Sequence, residues 1–168
     1  MDDIFAWLLL RDEEFLKYVN ISVFKASGRG GQKVNKTSSA VRMVFEPLNV
    51  EVTCQKYRKQ TENKLSALRK LRKSVALHAS GCPSDDVFAI CVQYIKNGLH
   101  INRKNRDISL IYALIVSLFC NFNGDHKKVA VQLGVTSSRL VKFLAEDKLL
   151  LNKVNSIRNK ADKNNLKV

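Results

Sequence analysis

Three glycines and a glutamine stand together in a cationic stretch near residue 30. Gly28, Gly30 and Gly31 lie within four residues, and Gln32 follows them directly. Glycine tolerates positive φ angles and lets its backbone approach a ligand closely, so this stretch predicts a permissive loop that presents Gln32. The charged side chains around it are all basic: Lys25, Arg29, Lys33, Lys36 and Arg42. A permissive backbone joined to positive charge indicates chemistry carried out beside nucleic acid.

Two sequence blocks carry a resemblance to a known family. The first is residues 27–42, SGRGGQKVNKTSSAVR, and the second is residues 58–67, RKQTENKLSA. The first block resembles the GGQ motif of class I peptide chain release factors, and the second is similar to the family's R-S-Q-x-x-N-x-x-x-A segment. Both stand in the family's order and at its spacing. A lone Gly-Gly-Gln is most often a flexible turn, whereas two blocks at this spacing are a specific sign of the family.

The resemblance implies an enzyme, a peptidyl-tRNA ester hydrolase that needs no cofactor. Release factors hydrolyse the ester between a nascent peptide and tRNA in the ribosomal peptidyl transferase centre. By resemblance the catalytic residues are Gly30, Gly31 and Gln32, and the main-chain N–H of Gln32 faces the developing oxyanion, where such a donor stabilises the transition state. The Gln32 side chain excludes larger nucleophiles and places water. No side chain of the loop is a general base, so RNA and tRNA supply most of the catalysis.

Positive charge is concentrated around the same two blocks. Residues 25–73 carry thirteen Lys and Arg against three Glu, whereas residues 1–24 carry two basic and five acidic residues. Lys and Arg gain affinity for phosphates by releasing condensed counterions, so the charge favours a polyanionic partner, and the resemblance implies that this partner is ribosomal RNA. We predict RNA contacts from Lys25, Arg29, Lys33, Lys36, Arg42, Arg58, Arg69, Lys70, Arg72 and Lys73. The alternative for the last four is an ordinary solvated helix face.

Polar residues and turns near the loop lead to two further expectations. Asn35, Thr37 and Ser39 are expected to hold the base of the loop by hydrogen bonds to local backbone. Residues 46–50, EPLNV, replace the family's Pro-Thr-Gly turn between two strands. Asn49 is predicted to take the left-handed conformation there, since Asn accepts it better than most residues.

Composition argues against a metal site, export and a membrane span. Net charge is +14 at pH 7, and 45% of the residues are hydrophobic, enough for a core. The cysteines form no C-x-x-C pair and have apolar neighbours, which predicts buried free thiols and no metal site. These cysteines are Cys54, Cys82, Cys91 and Cys120. Acidic residues precede the first apolar run, unlike in a signal peptide. The apolar run 108–120 is shorter than the roughly twenty residues of a membrane span, so it predicts a core helix.

The predicted fold class is α+β, with a small GGQ domain over residues 1–80. Residues 2–18 predict short helical turns, and residues 20–24 predict a strand that leads into the GGQ loop. Alternating apolar residues over 40–45 and 50–55 predict an antiparallel hairpin. A leucine-rich pattern with a basic opposite face predicts a helix over residues 60–78.

Residues 81–168 predict an all-α, basic C-terminal region. Gly81 and Pro83 mark the boundary. Helices are expected over 84–98, with Ser84 as N-cap, and from 107, with Asp107 as N-cap. Residues 125–133 and 136–144, joined at Gly134, have the dimensions of a helix-turn-helix unit. Because its basic residues concentrate outside the apolar helices, we expect this region to anchor the protein on ribosomal RNA.

The predicted reaction is independent of codon reading. Codon-reading members of the family also carry a large helical domain and a β-rich domain, and only about twenty residues precede the predicted GGQ strand. The closer resemblance is to stand-alone GGQ hydrolases that free stalled ribosomes. We therefore expect a monomer whose partners are the ribosome and peptidyl-tRNA, in the cytoplasm or an organelle matrix.

Two other functions remain open at this point. Lys33 stands where the family more often has His, Asn or another small polar residue, which favours a non-catalytic ribosome-binding protein that keeps the GGQ fold. Residues 136–144 could be the recognition helix of a DNA-binding regulator. That helix geometry is also common as plain packing, so DNA is not the expected partner.

Overall fold

The computed structural model describes residues 3–25 and 39–167. In chain order its helices and strands are α1 (Ile4–Leu9), α2 (Asp12–Phe15), β1 (Val19–Phe24), β2 (Ala40–Phe45), β3 (Val50–Cys54), α3 (Gln60–Ala76), α4 (Asp85–Lys96), α5 (Ile108–Asn121), α6 (His126–Gln132), α7 (Ser137–Ala145) and α8 (Lys148–Lys160). The α+β fold class is confirmed. The chain divides into two compact units, Leu10–Val75 and Met1–Leu9 with Ala76–Val168.

The unit Leu10–Val75 is built around a three-stranded antiparallel sheet in the order β1-β2-β3. The alternation that predicted the strands separates their faces, because Val41, Met43 and Phe45 are buried while Arg42 is exposed. Phe15 of α2 stacks on Phe45 with ring centroids 5.1 Å apart. The predicted hairpin and the helix that follows it are both confirmed.

The turn between β2 and β3 takes the conformation expected from its sequence. Residues Glu46–Leu48 form one 3-10 turn, and Asn49 follows with φ 50° and ψ 38°. The Asn49 N–H donates to the Glu46 carbonyl over 3.2 Å. Asn49 therefore supplies the left-handed residue that brings Val50 opposite Phe45.

The other unit is assembled around α5. All but three of its residues are buried, which confirms the predicted core helix. Helices α1, α4, α6 and α8 pack against it. Helix α1 contributes Ile4, Phe5 and Leu8 to this core although it lies far from α5 in sequence. Within residues 3–25 and 39–167, no helix is both long and apolar enough to cross a membrane.

Helices α6 and α7 form the predicted pair with a four-residue connection. Asp125 caps α6 and Thr136 caps α7 through their side chains, and Gly134 has φ +61°. The predicted inner residues Val129, Leu140 and Leu144 are buried. Helix α7 packs in turn against α8.

The predictions for two cysteines of this unit are wrong, and the predicted N-cap Asp107 is confirmed in position only. Cys54 and Cys91 are buried as expected, but Cys82 and Cys120 are exposed, because apolar neighbours in sequence do not fix which way a side chain points. Asp107 occupies the N-cap position of α5, yet its side chain makes no capping bond. Its carboxylate accepts the Tyr94 hydroxyl over 2.8 Å instead.

Candidate functional site

The candidate site begins where two strands open toward the Gly-Gly-Gln segment. Strand β1 ends at Phe24 and β2 begins at Ala40, and these two residues are paired across the sheet. Antiparallel pairing therefore holds the two ends of the intervening segment side by side. The predicted residues within it lie outside the described residues: Arg29, Gly30, Gly31, Gln32, Lys33, Asn35, Lys36 and Thr37.

A single buried side chain, Asn63 of α3, ties the end of that segment to the rest of the unit. Its Nδ2 donates to the Ser39 carbonyl and to the Tyr57 carbonyl, both over 2.8 Å. Its Oδ1 accepts the Tyr57 N–H over 2.9 Å and the Cys54 thiol over 3.4 Å. All donors and acceptors of the amide that face the interior are used, as expected for a polar group that is fully buried.

The Asn63 contacts connect three stretches of chain that meet near the sheet edge. Ser39 precedes β2, Cys54 ends β3, and Tyr57 lies in the connection to α3. Ser39 was expected to act at the loop base, and it is the Ser39 main chain that accepts the bond from Asn63. The sequence identified Asn63 only as a motif residue; its role as an anchor depends on contacts across 24 residues, which no local pattern reveals.

Most described residues of the predicted RNA-contact set lie on the surface of this unit. Lys25, Arg58, Arg69 and Lys70 are exposed, and Lys73 is half-exposed. Arg42 is also exposed and forms an ion pair with Glu51 on the neighbouring strand. Helix α3 thus presents cations outward, in the position that contact with a polyanion requires.

Arg72 is the exception, and its surroundings give it a structural role. It is 3% exposed, and its guanidinium lies 4.3 Å from the Phe15 ring centroid. Its Nη2 donates to the Leu10 carbonyl over 2.8 Å and to the Asp12 carboxylate over 2.9 Å. Because these groups enclose the guanidinium, the prediction that Arg72 contacts RNA is wrong. The sequence of the basic run 69–73 did not distinguish Arg72 from its exposed neighbours, since charge alone does not indicate which residue faces the core.

Three exposed lysines beside the site were missing from the predicted set. Lys56, Lys59 and Lys64 are exposed, on the connection to α3 and on its first turns. The Lys56 amine lies 5.6 Å from the Tyr57 ring centroid. Their proximity in sequence to Arg58 could have indicated that they belong to the same basic surface. Within the described ranges, no three His, Cys, Asp or Glu side chains come together as metal ligands.

A sheet whose first two strands flank a Gly-Gly-Gln segment, followed by a basic helix that anchors one end of it, is the arrangement expected of a release-factor GGQ domain. The RF-1 domain family model matches residues 15–82. This match supports the resemblance of these residues to the class I peptide chain release factor family. Residues 83–168 lie outside the matched region.

Individual release factors are similar to the same part of the chain. Peptide chain release factor 1 of Thermotoga maritima is 54% identical over 54 residues, which are 32% of this chain and 16% of the relative. Peptide chain release factor 2 of Mycobacterium avium is 48% identical over 54 residues, 32% of this chain and 15% of the relative. The chain thus spans about a sixth of the length of the curated relatives it matches.

Proposed function

We propose that this protein is a peptidyl-tRNA ester hydrolase that acts on the ribosome and releases nascent peptide without reading a codon. The observation that carries the proposal is the family match over residues 15–82, which includes Gly30, Gly31 and Gln32. The Asn63 anchor supports it, because catalysis by a backbone N–H requires that the chain around it be held in place.

In the proposed reaction, water is the nucleophile and peptidyl-tRNA is the substrate. The water oxygen bonds to the ester carbonyl carbon, and the bond from that carbon to the terminal ribose oxygen breaks. The ribose oxygen takes a proton, and the peptide leaves with a free carboxyl group. The Gln32 N–H stabilises the oxyanion that forms between these steps. Gly30 and Gly31 have no Cβ to obstruct the approach of RNA.

Independence from the codon is favoured by the unit that follows the RF-1 domain. Its helices and connections carry exposed lysines, including Lys104, Lys127, Lys128, Lys142 and Lys148. Lysine contacts to phosphate contribute affinity without reading sequence. Such a unit suits a protein that recognises the ribosome by its RNA backbone.

The proposal is tested by peptide release from ribosome complexes with a stop codon, a sense codon or no codon in the A site. We expect similar release from all three, and a Gln32→Pro variant, which lacks the main-chain N–H, that still binds but releases at least about a hundredfold more slowly, as for the loss of an oxyanion donor. Release restricted to stop codons would refute codon independence. Equal release by the variant and the wild type would refute the catalytic assignment.

A non-catalytic ribosome-binding protein is the second candidate, and Lys33 favours it. This residue adds a bulky positive charge next to Gln32. The same experiment separates the two functions if ribosome binding by the wild-type protein is measured alongside release. Saturable binding with no release from any complex would select the second candidate, and a Lys33→Asn variant that gained release would identify the residue responsible.

A further inference from the structure

A cleft between α6 and α7 lies in the unit that the family match does not reach. Its volume is about 400 Å³, and it is lined by His126, Ser137, Ser138, Val141 and Lys142. Lys142 and Ser138 are exposed, while His126 and Ser137 are half-exposed. Two serines, a histidine and a lysine therefore line the same opening, and each of these side chains carries a group that can donate a hydrogen bond to an anion.

Further cations stand at the α6 side of this cleft. Lys127 and Lys128 are exposed beside His126. The carboxylate of Asp125 accepts the main-chain N–H groups of both lysines and so caps α6, and its charge offsets part of the positive charge there. Their ammonium groups form no hydrogen bond or ion pair within the described part of the chain.

A buried arginine near His126 has hydrogen-bond partners that carry no charge. Arg158 of α8 is 7% exposed. Its guanidinium donates to the carbonyls of Gly124 and Asn164, and its Nη1 lies 3.4 Å from His126 Nδ1. Among the described residues no carboxylate pairs with it. The pKa of His126 is lowered by burial and then by Arg158, with Lys127 and Lys163 adding to the effect against Asp125. Three positive charges and one carboxylate thus act on His126.

The other arginines of this unit are committed to internal contacts. Arg103 pairs with Glu146 over 2.6 Å, Arg106 donates to the Leu9 carbonyl, and Arg139 donates to the carbonyls of Gly98 and Leu99. Arginine therefore stabilises the fold here, whereas the lysines around the cleft are available to an external ligand.

We propose that the α6–α7 cleft, with Lys127, Lys128 and Lys142, binds the phosphodiester backbone of RNA. Phosphate oxygens accept hydrogen bonds from hydroxyl and ammonium groups; Lys142 lines the cleft, and Lys127 and Lys128 follow the lining residue His126 in sequence. The choice of RNA rests on the proposed function, since a protein that acts on the ribosome meets RNA as its principal polyanion. The cleft would give affinity without sequence selectivity.

The test compares two full-length variants with the same change in charge. Lys127→Glu/Lys142→Glu alters the cleft. Lys17→Glu/Lys96→Glu is the control, because both lysines are exposed and neither belongs to α6, to α7 or to the predicted RNA-contact set. Binding of a fluorescein-labelled RNA hairpin is followed by anisotropy over a range of salt concentrations. We expect the cleft variant to bind about tenfold more weakly, with a salt dependence reduced by about one log unit for each phosphate that is no longer neutralised, and the control to change much less.

Each result of this test decides the proposal. Equal losses in the two variants, at unchanged melting temperature, would overturn it, as they would reflect net charge alone. Displacement of the hairpin by polyglutamate as effectively as by unlabelled RNA would indicate an acidic protein partner instead. Tighter binding of a DNA duplex than of the hairpin would overturn the choice of RNA. The readout needs no ribosome, so it is independent of peptide release; on ribosomes, the cleft variant should need more protein for half-maximal release and reach the same maximal rate.

Discussion

At the scale of single residues, one amide holds Ser39, the first described residue after the GGQ segment. Asn63 is buried and joins Ser39, Cys54 and Tyr57 through its side chain. An amide is suited to this position because it presents two donors and one acceptor oxygen in a fixed plane. A carboxylate would supply no donor, and an aliphatic side chain would leave the carbonyls unpaired.

Replacing Asn63 should therefore destabilise the unit that carries the GGQ segment. Asn63→Ala leaves the part-buried main-chain groups of Tyr57 and Ser39 without this partner, and we expect a loss of about 1–3 kcal/mol in the free energy of unfolding. Urea denaturation followed by circular dichroism measures it. Arg69→Ala on the exposed face of the same helix is the control, with an expected change within about 0.5 kcal/mol. Similar losses in the free energy of unfolding for the two variants would contradict the structural role assigned to Asn63.

Asp125 leads to a prediction about pH. The hydrogen bond from the main-chain N–H of Lys128 is the largest cause of its lowered pKa; desolvation opposes it, and the Lys127 N–H and the charges of Lys163 and Lys128 lower the pKa further. A carboxyl whose pKa is lower in the folded state stabilises the fold above its unfolded pKa of about 3.9, and this contribution disappears as the pH falls through the folded pKa. Asp125→Ala should therefore cost about 1 kcal/mol at pH 7 and much less near pH 3.

Asp125→Asn provides the matched variant for that measurement. Asn caps helices about as well as Asp, so most of the stability at pH 7 should remain, while the dependence on pH that comes from this residue should be lost. Thermal unfolding of the three proteins between pH 3 and pH 7 gives the comparison. A difference between Asp125→Ala and wild type that stays constant over this range would contradict the capping role.

At the scale of elements, two glycine turns between helices differ in how much space surrounds them. Gly124, between α5 and α6, has φ +72°, and a Cβ there would lie 2.9 Å from Arg158 Cα. Gly134, between α6 and α7, has φ +61° and nothing within 4 Å of the corresponding position. Gly134→Ala should cost about 1 kcal/mol from backbone conformation alone. Gly124→Ala should cost about 1–3 kcal/mol more, because α8 backbone must move. Equal losses in urea denaturation would show that α8 adapts.

The elements themselves could be predicted from the sequence, because periodicity, turns and caps are local. The alternation of apolar and polar residues in β2 placed Met43 on the buried face and Arg42 on the exposed face, and an unbroken apolar run identified α5 as the core helix. Contacts between distant residues could not be predicted in this way. The apolar face of α1 indicated burial without indicating α5 as its partner, and nothing in the run 69–73 distinguished the buried Arg72 from the exposed Arg69. The site was likewise predictable as a motif, whereas the Asn63 anchor required the fold.

At the scale of the molecule, the two compact units do not follow the order of the chain. The predicted division into residues 1–80 and 81–168 remains a prediction about independent folding and function. The compact units instead group Met1–Leu9 with the C-terminal helices. A fragment of residues 1–80 would carry α1 without α5, so Ile4, Phe5 and Leu8 would lose the core in which they are buried.

Two fragments of the RF-1 region should consequently behave differently. Residues 10–80 should remain monomeric, whereas residues 1–80 should self-associate through the exposed face of α1, since an unpaired apolar face promotes association. Size-exclusion chromatography with light scattering distinguishes them. An Ile4→Ser/Leu8→Ser version of the longer fragment should return to a monomer. Monomeric behaviour of unmodified residues 1–80 would mean that α1 does not need α5 for burial.

The pairing of α1 with α5 also sets an order of events during synthesis. The segment Leu10–Val75 contains its own sheet and core, so all its partners are present as soon as it has emerged from the ribosome. Helix α1 emerges earlier still but must wait until α5 has been made. A nascent chain that stalls after Val75 has emerged but before α5 has been made would carry the formed sheet together with an α1 whose apolar face has no partner. Exposed apolar surface of this kind is recognised by chaperones and proteases.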